Sequence, residues 1–96
     1  MEPQNVNASD FKVESILFNK NGFSIAYGKW RDNDYNSIAM RWNNGGKNNI
    51  GFPNIYGNPK WFLIEDDIIA NPIMKSLLGL EGSNADSIIK ALSKEF

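Results

Sequence analysis

Through the first half of the chain apolar and polar positions alternate with a period of two. Helical spacing is found only near the end. Residues 11–19 are rich in β-formers, and residues 23–31 make a second such run. Lys20-Asn21-Gly22 lies between them. Asn-Gly in that setting signals a hairpin, because a type I′ turn needs positive φ at both central positions. Centring the turn there predicts Lys20 opposite Phe23, Phe18 opposite Ile25 and Ile16 opposite Tyr27. It also puts Glu14 opposite Lys29, an opposite-charge pair. Residues 31–36 read as the next turn. Residues 37–43 read as a third strand, with Ile38, Met40 and Trp42 alternating against Ala39 and Arg41. An even-length connection places Tyr27 opposite Met40 and Ile25 opposite Trp42.

The two faces of this meander differ. One carries Ile16, Phe18, Ile25, Tyr27, Ile38, Met40 and Trp42, and is expected to be the core face. The other carries Val13, Ser15, Leu17, Ser24, Ala26, Gly28, Trp30, Ala39 and Arg41. Small side chains dominate that face, with Trp30 and Arg41 standing above them. Such a surface leaves room for a helix, a second subunit or a ligand.

Residues 43–59 form a long irregular segment with four glycines and two prolines. Phe52, Ile55 and Tyr56 imply that it packs on the body. Residues 60–64 read as a short fourth strand. Glu65-Asp66-Asp67 suits a helix N-terminus. Asn71-Pro72 is the cleaner start, with Asn as N-cap and Pro at the first helical position. Ile73, Met74, Leu77 and Leu78 make an apolar stripe that ends at Gly79, a suitable C′ residue. Ser83-Asn84-Ala85-Asp86 resembles a capping box. Ala85, Ile88, Ile89, Leu92 and Phe96 follow at helical spacing. The expected fold is therefore α+β: a four-stranded antiparallel β-meander followed by two C-terminal helices packed on one face. Residues 1–9 are polar and patternless and read as a loose tail, with residues 10–96 as a single domain.

Composition narrows the function classes. The chain contains neither cysteine nor histidine. Thiolate nucleophiles, Ser-His triads and zinc sites of the usual ligands are thereby excluded. No apolar run approaches the roughly 18 residues of a membrane span, and the first residues lack the basic and apolar regions of a signal peptide. The expected setting is cytoplasmic, with no membrane partner. Net charge is −1, unevenly spread. Residues 12–60 hold seven basic side chains against three acidic, and residues 61–96 hold three against six.

Three adjacent pairs combine a cation with an indole: Lys29-Trp30, Arg41-Trp42 and Lys60-Trp61. Sheet platforms bind single-stranded nucleic acid by stacking bases on aromatic rings while cations meet phosphates. Neighbours in a strand point to opposite faces, so Trp30 and Arg41 share the small-residue face while Trp42 falls in the core. Gly45-Gly46-Lys47 lacks the spacing and the following Ser or Thr of a phosphate loop, and reads as a flexible turn. Glu65-Asp66-Asp67 and the pair Asp32 and Asp34 can hold a hard cation in principle. Capping and turn formation account for both sets, and no metal or cofactor is expected.

The order of elements resembles the single-stranded-DNA-binding domain of the PC4 family of transcriptional coactivators, over residues 11–80. That resemblance implicates basic and aromatic strand residues such as Lys29, Trp30 and Arg41. The second helix and the Gly/Pro-rich loop depart from it. The combination of residues 24–28, 40–43 and 57–62 also resembles small bacterial proteins to which no activity is attached, and it implies none. The resulting expectation is a binding module and not an enzyme. Its partner is single-stranded DNA or RNA, with Trp30 stacking and Lys29, Arg31, Arg41, Lys47 and Lys60 meeting phosphates. The alternative is a module for protein interaction or homodimerisation.

Overall fold

The Asn21-Gly22 hairpin forms as its turn chemistry demands, with φ of 54° and 81° at the two central residues. It joins β1 (Phe11–Lys20) to β2 (Phe23–Trp30), and β3 (Ser37–Trp42) follows. A computed structural model of the chain describes residues 2–6 and 8–94. After β3 come a two-residue hairpin, β4 (Asn54–Ile55) and β5 (Asn58–Pro59), then β6 (Phe62–Ile64). Two helices end the chain, α1 (Asp67–Leu77) and α2 (Ala85–Lys94). The main sheet is antiparallel, with order β1-β2-β3-β6.

Near the turn the hairpin register is as expected: Lys20 faces Phe23 and Phe18 faces Ile25. Further out, β1 carries two bulges, each adding one unpaired residue. Ile16 therefore pairs with Ala26 and Ser15 with Tyr27, in place of the expected Ile16–Tyr27 pair. The first bulge moves three side chains between faces, with Ser15 now beside Tyr27 on the helix-bearing face. Leu17 joins the helix-side core and Ile16 packs on the opposite side. The expected Glu14–Lys29 pair does not form. Lys29 lies opposite Lys12, and Glu14 accepts a hydrogen bond from Asn36 Nδ2 at 2.6 Å. Between β2 and β3 the pairing slips by two residues, so Ile25 meets Met40 and Tyr27 meets Ile38. A slip of two keeps every side chain on its expected face.

Both helices pack on one face. Leu17, Ile25, Tyr27 and Ile38 meet Ala70, Met74 and Leu77 of α1 and Ile88 and Ala91 of α2. The α1 stripe thus begins at Ala70, one turn before the expected start. Asp66 is the N-cap, its carboxylate accepting from Ile68 N at 2.8 Å, and Pro72 lies inside the helix. The α2 cap is Asn84, whose Oδ1 accepts from Ser87 N at 3.2 Å.

The small-residue face is closed as well. Val6, Ala8, Phe11 and Trp61 cover Ala26 and Ala39, and Trp61 Nε1 donates to Val6 O at 3.1 Å. Gly28 answers to the sheet itself: a Cβ there would stand 2.0 Å from Lys12 O of the bulged neighbouring strand. Residues 2–6 and 8 therefore seal a second core, with Val6 fully buried, where a loose tail was expected. Met1 and Asn7 of that tail, and Phe96 of the expected helical stripe, lie outside the described residues.

Candidate functional site

Arg41 is the largest fully buried side chain of the described residues. Its guanidinium donates to Lys60 O and Ile50 O, at 2.5 Å each, and lies 5.9 Å from the Trp61 ring centre. Burial pushes its pKa below the usual value. Arg41 thus ties the middle of the irregular segment, and the residue just after it, to β3 and is buried. The other expected contact residues scatter. Lys29 and Arg31 are exposed, and with Lys12, Ser9, Asp10 and Asp32 they line one cleft. Trp30 is half-buried beneath the Arg31 guanidinium, 5.0 Å away, and packs on the second core. Lys60 is half-buried and lines a neighbouring cleft with Ala8, Ser9, Asn58 and Pro59. Lys47 is exposed in a 3-10 turn, Lys47–Asn49.

The Gly45-Gly46-Lys47 loop folds on itself, with Gly45 N donating to Asn49 Oδ1 at 2.6 Å. Asp66 is occupied as a helix cap. Glu65 accepts from the Tyr35 hydroxyl at 3.1 Å, which raises the phenol's pKa. Among the described residues no three acidic side chains gather as a metal ion would require.

Sequence reasoning missed a different site on the helix-bearing face. Phe23 pairs with Trp42, Ile25 with Met40, and Met40 in turn with Phe62 of β6. Trp42 also bridges to Phe52, with backbone hydrogen bonds of 2.8 Å in both directions. Directly paired residues project to the same side. Register alone therefore assembles Phe23, Met40, Trp42, Phe52 and Phe62 into one apolar array. The helices cover the Ile25–Tyr27–Ile38 part of the face and stop short of this end. Trp42 is 53 % exposed, Phe52 49 % and Phe62 60 %, so Trp42 is not the core residue expected of it. The rings of Phe23 and Trp42 lie 4.9 Å apart, tilted by 59°. The array and Pro53 border a groove of about 260 Å³. The Phe23–Trp42 contact follows from the slipped β2–β3 register, but no spacing in the sequence marks Phe52 as the neighbour of Trp42.

No protein-family model, curated protein or solved structure matches the chain.

Proposed function

We propose that the chain is a non-enzymatic binding module and that the Trp42/Phe62 groove is its working surface. The partner is a short extended segment of another protein that brings an apolar side chain. The observation that carries this reading is three half-exposed aromatic rings, Trp42, Phe52 and Phe62, converging on one groove. Contiguous exposed apolar surface has a cost in water and marks an interaction site. The occupant is apolar because the side chains that this face turns to the groove are apolar; the Arg41 guanidinium lies on the opposite face, against the Trp61 ring. It is extended because β6 lies at the sheet edge with β3 as its strand partner, and strand addition there runs beside Phe62. A cytoplasmic setting goes with this reading; no helix among the described residues is long and apolar enough to cross a membrane.

The polynucleotide reading retains Lys29, Trp30, Arg31 and Lys60. It loses Arg41, which lies buried, and keeps Lys47, exposed and next to the Gly46 that packs against the Phe52 ring. Selection of displayed extended peptides on the immobilised chain, with Trp42→Ser and Phe62→Ser as counter-selection, tests the proposal. Peptides with alternating apolar residues are expected to be retained by the parent chain and lost by both variants. Retention undiminished by the variants overturns it. So does reversible dimerisation in sedimentation that Trp42→Ser abolishes, because the groove then belongs to a second copy.

A further inference from the structure

At the opposite end of the same face β1 and β2 place Lys12 directly across from Lys29. Like charges directly opposite in a sheet repel. Arg31 adds a third cation to the cleft that these two line, a space of about 370 Å³. That volume lies within the range of small-molecule sites. Among the described residues the ion pair is Lys20–Glu81, at 2.9 Å, and none of the three cations of the cleft takes part in one.

Arg31 is held from several directions. Its backbone N donates to Asp10 O at 2.8 Å, and its guanidinium lies over the Trp30 ring. Its φ is +50°, in the left-handed region where a bulky L-residue is strained. Strain of this kind persists where the surroundings impose it, and it clusters at ligand sites. A cation fixed in this way loses less freedom on binding. Ser9 supplies a hydroxyl to the cleft and also borders the neighbouring cleft of Lys60, so the two adjoin. Asp10 and Asp32 line the space too, which suits a ligand with hydroxyl or amino donors beside its anion.

We infer that this cleft is a seat for a phosphate group, held by Lys12, Lys29 and Arg31. The test is a titration of the isotope-labelled full chain with inorganic phosphate, followed by backbone amide NMR shifts. A sodium chloride arm at matched ionic strength and an oligothymidylate arm run beside it. Saturable shifts confined to Ser9, Asp10, Arg31, Asp32 and their neighbours are expected. The double variant Lys29→Gln, Arg31→Gln, with both sites exposed, should weaken binding about tenfold or more. Lys29→Arg alone should keep it. Saturation by phosphate alone assigns the seat to a free or small-molecule phosphate. Saturation by the oligonucleotide alone assigns it to a polynucleotide backbone. Shifts that chloride reproduces, that never saturate, or that the double variant leaves intact overturn the inference.

Discussion

Along β2 the side chains on the helix-bearing face read Phe23, Ile25, Tyr27, Lys29. The middle two are buried under the helices, while the two ends stay open. At the Phe23 end the neighbours are Trp42, Met40, Phe62 and Phe52, and the surface is apolar. At the Lys29 end the neighbours are Lys12, Arg31, Asp10 and Asp32, and the surface is charged, with cations in the majority. One strand therefore exposes two surfaces of opposite chemistry on a single face, separated by two residues of core. A surface that pairs aromatic stacking with phosphate contact needs both in reach of one strand of nucleic acid. At the aromatic end Arg41 is buried, and Lys47, next to the Gly46 that meets the Phe52 ring, is an exposed cation.

The sharpest way to break this comparison is to remove what holds the aromatic end in shape. Arg41→Ala leaves the carbonyls of Ile50 and Lys60 without their donors and frees the segment that brings Phe52 to Trp42. Each hydrogen bond to a charged group contributes about 1.5–3 kcal/mol, so a loss of about 3 kcal/mol in urea denaturation is expected. A loss below about 1 kcal/mol would show that the segment docks without Arg41. Gly28→Ala acts at the cation end, where the new Cβ must push Lys12 O away from its place beside Lys29. Overpacking against backbone costs about 2 kcal/mol. The NMR perturbation should centre on Lys12 and Lys29 and leave the amides of Phe52 and Phe62 in place.

What could be read in advance divides along physical lines. The hairpin turn, the identity of the helix-bearing face and the α+β class followed from local turn chemistry and from a period of two that a slip of two residues preserves. The bulges at β1 were not legible, because Glu14 and Leu17 fit an unbroken alternation as well as a broken one. They put Ser15, Ile16 and Leu17 on the faces opposite those expected and hid the Lys12–Lys29 pairing. Arg41 shared a face with Trp30 as expected, but its burial depended on Trp61 and on the carbonyls of Ile50 and Lys60 closing over it. Contacts so distant in sequence leave no periodic trace. The missed aromatic site has the same cause: Phe52 reaches Trp42 through a single bridge at the end of an irregular loop.

A smaller effect sharpens the comparison from the aromatic side. Phe62 is 60 % exposed at the sheet edge, so Phe62→Ser removes little buried area. Stability should fall by about 1 kcal/mol, well short of the roughly 3–5 kcal/mol typical of a core Phe. Peptide capture should vanish in the same variant. A variant that unfolds instead would place Phe62 in the core and remove the groove's outer wall from the binding account.

The smallest expected effect carries a distinctive sign. Lys29→Glu replaces a like-charge cross-strand pair with an opposite-charge one, the introduced carboxylate lying across from the Lys12 ammonium. Directly opposite charges contribute about 0.2–1 kcal/mol, so the variant should be more stable than the parent by a few tenths of a kcal/mol. Both groups face water, so the gain should shrink as salt is raised toward about 1 M, where the Debye length falls to about 3 Å. Thermal denaturation at low and high salt reads both. Most surface substitutions are neutral or harmful, so a salt-sensitive gain at this position would mean that the parent chain keeps Lys29 against its own stability. Phosphate binding should fall in the same variant. If Lys29→Glu destabilises the fold at low salt, Lys12 and Lys29 do not repel across the strands, and the cation end loses the feature that sets it apart from ordinary solvated surface.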